Sequence, residues 1–204
     1  AENVVAPLNR TGDEEGCHWS ATGVTTPAGY KEAYRQYVEN GWPALSAGVE
    51  YGGQGLPNML GIMVNELAGT ANWSWVMYPG LSLGAVNTVE AHGDADQKRK
   101  YLTKLVSGEW TGTMCLTESQ CGSDLGLLRT KAELQADGSY AITGTKIFIS
   151  AGEHDMTTNI VHIVLARLPD APAGTTGTSL FIVPKFNVKD DGSVGESNAV
   201  HCAS

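Results

Sequence analysis

Just after Glu109 the hydrophobic rhythm of this chain changes, and that change limits the folds it can adopt. Up to that point apolar residues recur at three- and four-residue spacings, the period of a helix with one buried face. Pro27 opens "PAGYKEAYRQYVENGW", where Tyr30, Ala33, Tyr34, Tyr37 and Val38 share a face and Gly41 supplies a C-terminal stop. Pro57 opens a second helix, with Met59, Ile62, Met63, Glu66 and Leu67 at helical spacing. "WSWVMYPGLSLGAVNTVEAHG" predicts a third, bent or interrupted at Pro79-Gly80. Asp94 caps a fourth, whose Tyr101, Leu102 and Leu105 form a buried stripe. Residues 1–26 have no clean period and are expected to be a loop-rich lead-in.

Beyond Glu109 the pattern alternates. "RTKAELQADGSYAITGTKIFIS" places Asp137-Gly138 where a tight hairpin turns, and "NIVHIVLARL" and "TSLFIVPKF" are short β-branched runs. Helices followed by strands predict an α+β chain with a helical domain over residues 1–110 and a β domain over 111–204. The chain does not begin with Met, and "SNAVHCAS" ends it without an obvious stop, which suggests a piece of a longer protein.

A net charge of −9 over 204 residues argues against a nucleic-acid or anionic-membrane surface, though backbone amides can still bind a phosphate. No apolar run is long enough to span a membrane. The four cysteines lack paired short spacings, so reduced thiols in a cytoplasmic protein are expected, despite the dipeptides Cys17-His18 and His201-Cys202. No metal set is expected. Asn9-Arg10-Thr11 and Asn72-Trp73-Ser74 match the glycosylation sequon only as chance would allow.

Several familiar motifs fail on inspection. Gly53-Gln54-Gly55 begins like a dinucleotide fingerprint, but position 58 is Asn and the flanks are not strand then helix. Gly144-Thr145-Lys146 is no phosphate loop; its glycine reads as a bend within a hairpin strand. Gly122-Ser123-Asp124 lacks the frame of a hydrolase elbow. His154 and His162 fall in or near strands and read as ordinary histidines with satisfied hydrogen bonds.

The stretch that asks for a ligand is "MCLTESQCGSDLG", residues 114–126, followed some thirty residues later by "GTKIFISAGE". Taken alone, the first is a polar loop after a strand. If the two strands pair, residues 114–117 and 148–150 lie side by side. They would then form a wall with the hydroxyls of Thr117 and Ser150, the ring of Phe148 and free amides around Gly122-Ser123. A flavin suits such a wall, because hydroxyls and amides stabilise the charge that appears at its polar edge on reduction, and small residues let amides approach its pyrophosphate.

"MCLTESQCGSDLGLLRTKAEL" followed by "ITGTKIFISAGEHD" resembles the paired flavin-binding segments of the acyl-CoA dehydrogenase family. "EYGGQGLP" and "HGDADQKRKYLTKLVSGEWTGTMCLTE" are similar to it in order and spacing. The lead-in resembles the longer bacterial branch, which includes 3-methylmercaptopropionyl-CoA dehydrogenase-like proteins. The resemblance implies an N-terminal helical domain, an antiparallel β-barrel-like domain and FAD-dependent α,β-dehydrogenation of an acyl-CoA thioester. Met114, Leu116 and Thr117 would contact the flavin ring. Gly122 and Ser123 would serve the pyrophosphate, with Ser123 also touching acyl-CoA. Phe148 would pack on the ring where relatives place Trp, and Ile149 and Ser150 would complete the wall, Ser150 near N5. Ser119-Gln120-Cys121 departs from the usual Pro-x-Ala.

The resemblance also places the catalytic base beyond residue 204, so no catalytic residue is expected in this chain and the chain alone is expected to be inactive. It implies an electron-transfer flavoprotein as acceptor and a homodimer or homotetramer at full length. Two other readings stay open: an inactive flavoprotein of the same fold with a protective or regulatory role, and a non-enzymatic β-rich interaction module.

Overall fold

A computed structural model describes residues 1–203. The helical half comprises α1 (Pro7–Glu15), the short hairpin β1 (His18–Ser20) and β2 (Gly23–Thr25), then α2 (Tyr30–Glu39), α3 (Asn58–Ala71), α4 (Trp73–His92) and α5 (Ala95–Val106). The strands that follow are β3 (Thr111–Cys115), β4 (Lys131–Leu134), β5 (Tyr140–Thr143), β6 (Ile160–Arg167), β7 (Thr178–Pro184), β8 (Phe186–Val188) and β9 (Val194–Ser197).

The lead-in is more ordered than its sequence predicts. α1 starts with Pro7 in its first turn and carries an Arg10–Glu14 ion pair at 2.7 Å one turn apart. Gly12 leaves room for the Tyr30 ring, which a side chain there would strike. The apolar signal is thin because the apolar side chains this segment adds to the core of Tyr30, Tyr34, Trp75 and Tyr78 are those of Val4, Val5 and Leu8, clustered within five residues.

α4 runs unbroken through Pro79. The lost hydrogen bond and the ring clash disfavour proline there, but Trp75, Val76, Tyr78, Ala85, Val86 and Val89 are all buried along this helix. Each large side chain contributes roughly 1.5–3 kcal/mol, and together they outweigh the defect. Asn72 starts α4. It is 1% exposed, and its side-chain oxygen accepts the Trp75 N–H at 3.0 Å while its amide donates to the Val5 carbonyl at 3.3 Å. A glycan at this asparagine is sterically incompatible with the fold. Asn72→Ala, which removes the cap and orphans buried partners, is expected to cost about 2 kcal/mol in urea unfolding.

α5 has the expected Asp94 cap, completed as a reciprocal box in which Gln97 N–H donates to Asp94 at 2.8 Å and Asp94 N–H donates back at 3.0 Å. Tyr101, Leu102 and Leu105 are buried as predicted. They join Ala85, Val86 and Val89 of α4, Trp110, and Val161 and Ile163 of β6 in one cluster, so helices and sheet share a core. α3 forms over the predicted residues, but Met59, Ile62, Met63 and Leu67 are all exposed.

The main sheet has the order β3-β6-β4-β5, with β7 also paired to β6. It is mixed. β4–β5 and β6–β7 are antiparallel, as hairpin-like connections require, whereas β6 runs parallel to β3 and, at a single residue pair, to β4. A small antiparallel pair, β8–β9, completes the β half. Among the described residues no helix is long and apolar enough to cross a membrane.

Candidate functional site

The site is built at the free edge of β3. The Thr111 N–H donates to the Asn159 carbonyl at the start of β6. Alternation along the strand therefore turns the backbone groups of Gly112 and Met114 the other way, to the unpaired edge. Gly112 N–H is taken by Ser82 Oγ of α4 at 3.0 Å, and the Leu116 carbonyl by Lys146 Nζ at 3.0 Å. Between them the Met114 backbone faces outward, while its side chain packs on the shared core. Gly112 permits this docking, because a Cβ there would run into the Ala85 methyl of α4.

The two sequence segments do meet, but one residue earlier than predicted. Ile147 N–H donates to the Thr117 carbonyl at 2.9 Å. β5 ends at Thr143, and residues 148–150 lie in a turn rather than a strand, so the predicted pairing of 148–150 with 114–117 does not form. The reason is local. Gly144 passes so close to Thr130 that a side chain would collide with its hydroxyl, and Lys146 then turns inward to Glu118. The chain next twists into left-handed backbone at Phe148 and Ala151, both with φ of +56°. Non-glycine residues adopt that conformation at some cost, and such positions gather at ligand sites. Phe148 is 89% exposed, an apolar ring on open display. Ile149 is half-buried and Ser150 exposed.

On the other side of the site, Glu118 and Cys121 exchange backbone hydrogen bonds at 2.8 and 3.0 Å, closing a tight turn. This turn folds Gly122 back toward the Thr117 methyl, 3.6 Å from where a Cβ would sit. Gly122 and Ser123 are exposed and their amides make no bond within the described chain. Asp124 then caps a short 3-10 turn by accepting from Gly126 N–H at 3.0 Å. Leu116 and Thr117 are half-buried. The structure thus brings Met114, Leu116, Thr117 and Gly122 together beside Ile147, with Ser123 and the Phe148–Ser150 turn at the flanks.

Two groups that hold the site were missed by sequence reasoning. Glu118, 5% exposed, accepts from Lys146 Nζ (2.8 Å), Thr130 Oγ1 (2.5 Å), Thr130 N–H (3.0 Å), Arg129 N–H (2.8 Å) and Gln120 Nε2 (2.6 Å). Burial acts to raise its pKa, but these donors outweigh it and hold the carboxyl at about 2. The signal was Lys146 itself, a charge in an alternating strand pattern. Arg167, at the end of β6, donates to four carbonyls: Leu128 (3.1 Å), Pro172 (2.9 Å), Gly126 (2.8 Å) and Gly174 (2.6 Å). It ties the loop that carries Gly122-Ser123 to the loop before β7. Arg167→Ala is expected to cost about 2 kcal/mol and to speed amide exchange over residues 122–128; unchanged exchange there would refute this role.

His154 and His162 lie along the odd-numbered face of β3. His154 Nδ1 accepts the Met156 N–H at 3.2 Å, so its proton sits on Nε2 and is donated to Thr111 Oγ1 at 2.9 Å. His162 Nδ1 meets Thr113 Oγ1 at 2.8 Å, and its Nε2 is buried without a partner among the described residues. Burial lowers both imidazoles to about 4. Trp19, one residue past the first Cys-His dipeptide, donates its Nε1–H to the Cys202 carbonyl at 2.9 Å. Among the described residues no group of three or more His, Cys, Asp or Glu is placed to hold a metal ion.

This fold, helices packed on a curled mixed sheet with an open strand edge between two glycine-bearing segments, is matched by known proteins. Residues 1–109 match the acyl-CoA dehydrogenase N-terminal domain and residues 113–201 the acyl-CoA dehydrogenase middle domain, so the chain belongs to the acyl-CoA dehydrogenase family. It is 48% identical to a 3-methylmercaptopropionyl-CoA dehydrogenase of Ruegeria pomeroyi over 201 residues, 98% of this chain and 34% of that protein. It is 37% identical to a butyryl-CoA dehydrogenase of Syntrophomonas wolfei, covering 97% of this chain and 33% of the other. The chain therefore spans about a third of the length of these curated relatives. Among solved structures, an acyl-CoA dehydrogenase from Bacillus anthracis complexed with FAD superposes with a TM-score of 0.64 at 29% identity, over 76% of this chain and 25% of that one. Butyryl-CoA dehydrogenase from Megasphaera elsdenii gives 0.66 at 27%, over 74% and 39%.

Proposed function

We propose that the protein carrying this chain is an FAD-dependent acyl-CoA dehydrogenase that oxidises the Cα–Cβ bond of an acyl-CoA thioester. In this reading the chain supplies a helical region up to about residue 110 and a β region beyond it. The observation that carries the reading is the open Met114 position on the β3 edge, set beside the exposed Gly122-Ser123 amides and the displayed Phe148 ring. A flat ring with donors and acceptors on one edge and a phosphate tail fits that combination.

FAD, when bound, would supply the two-electron acceptor, taking the hydride from the β carbon at N5. The backbone groups of Met114 and Leu116 and the hydroxyl and amide of Thr117 would orient the polar edge of the ring. Gly122 and Ser123 would hold the pyrophosphate, Ser123 also meeting acyl-CoA. Phe148 and Ile149 would cover the ring, excluding water, and the Ser150 hydroxyl would stand near N5. Two acids of this β region are already committed. Glu118 is saturated by five donors, and Glu153 holds Lys185 at 2.5 Å and the His154 N–H at 2.9 Å. As the family resemblance implies, the group that removes the α proton would lie beyond residue 204. Electrons would pass to an electron-transfer flavoprotein, and the working form would be a homodimer or homotetramer.

The test is purification at full native length, an absorbance spectrum, and turnover of a panel of acyl-CoA esters with an artificial electron acceptor. A yellow protein that releases FAD on denaturation and reduces the acceptor in the presence of one ester class is expected. A colourless, inactive protein would overturn the proposal. The isolated chain is expected to bind FAD only weakly, which titration would check.

A further inference from the structure

Lys146 is buried to an unusual degree for a lysine, with a side chain 9% exposed beside a Glu118 side chain 4% exposed. Only one of its contacts is to that carboxylate. The other, at 3.0 Å, is to the carbonyl of Leu116, the first residue past the end of β3. A cation on a peptide carbonyl polarises that peptide, and hydrogen bonds in series strengthen one another in a low-dielectric setting. The N–H of the polarised 116–117 peptide belongs to Thr117 and makes no bond within the described chain. It is a strengthened donor left for a ligand.

We propose that the Lys146–Glu118 pair sets the electron affinity of the cofactor, with Lys146 raising it through the 116–117 peptide and Glu118 moderating it. The inference rests on the FAD reading above and extends it. Lys146 is a positioning and polarising residue, since it acts through Leu116 and Thr117. Reduction places negative charge on the polar edge of the flavin. A stronger donor there favours the reduced form, and a carboxylate beside the lysine offsets part of that effect. Thr130 and the amides of residues 129–130 fix Glu118, and Gly144 allows the close passage that brings Lys146 in. The geometry therefore holds the two charges in a fixed relation to the edge.

The proposal predicts shifts of opposite sign. In the FAD-loaded protein at full native length, Lys146→Gln is expected to lower the flavin midpoint potential. The preference for reduced over oxidised FAD would fall about tenfold, which is about 30 mV for a two-electron couple. Glu118→Gln is expected to raise the potential, because it removes the offsetting charge and keeps an oxygen acceptor. Lys146→Arg is expected to stay near the wild-type value. A merely structural role would move Lys146→Gln and Glu118→Gln in the same direction. If Lys146→Gln does not fold, the rise in Glu118→Gln and the retained potential of Lys146→Arg still decide the matter. Yellow proteins whose potentials are unchanged, or shift the same way in both glutamine variants, would overturn the inference and leave the cofactor reading standing. A colourless wild-type protein would overturn both.

Discussion

Lowering the pH from 6.5 to about 4 is expected to remove several kcal/mol of stability from this protein, most of it through two histidines. His154 and His162 are each 3% exposed, and burial depresses both to about 4 in the folded chain, with the charge of Lys185 adding to the effect. In the unfolded chain each titrates near 6.5. Between those values the unfolded state binds more protons, so folding stability rises with pH across the window and falls as the solution is acidified. The depression corresponds to roughly 3 kcal/mol for each ring when fully developed. Glu118, held at about 2, is shifted downward as well, but lower on the pH scale: its contribution stays intact above 4.5 and is lost only as pH falls from there toward 2. The two effects therefore occupy separate ranges. Urea unfolding at pH 7, 5.5 and 4.5 should show the decline, and His154→Gln with His162→Gln should flatten it. A midpoint that does not move between pH 6.5 and 4.5 would rule this out.

Lys146→Ala should be the most damaging small substitution in the β half. It leaves Glu118 buried without its cation, and breaking a buried pair from one side typically costs about 3–5 kcal/mol, because the remaining charge has lost its compensation. For a chain of this size that is roughly a 10 °C fall in melting temperature. Removing Glu118 as well should cost less than the sum of the two single changes, since neither charge is then stranded. A loss below about 1 kcal/mol in Lys146→Ala would mean that water reaches the pair, contrary to its burial.

Much of this architecture is written in local patterns. The face of Tyr101, Leu102 and Leu105, the cap at Asp94 and the Asp137-Gly138 hairpin depend on neighbours within a few residues, and they fold as their spacing predicts. What was illegible depends on contacts far apart in the chain. α1 is secured by Tyr30 packing over Gly12, and neither residue announces the other. α4 survives Pro79 because its surroundings bury it, a fact that no helical period contains. The parallel pairing of β3 with β6 joins residues about fifty positions apart. In the site, the sequence identifies the two segments that meet. It does not reveal that Glu118 and Lys146 draw them together, nor that the second segment leaves its strand before Phe148, because both follow from the close passage of Gly144 over Thr130.

The unpaired border of β3 has a last consequence, for solubility. Exposed strand borders invite other chains to add on and grow fibrils. Here a serine from a helix and a buried ammonium occupy the positions on either side of Met114. One residue's worth of open backbone is too short for an incoming strand to register against, yet wide enough for a small planar molecule. The same two plugs that frame a binding place thus keep the protein from polymerising through it.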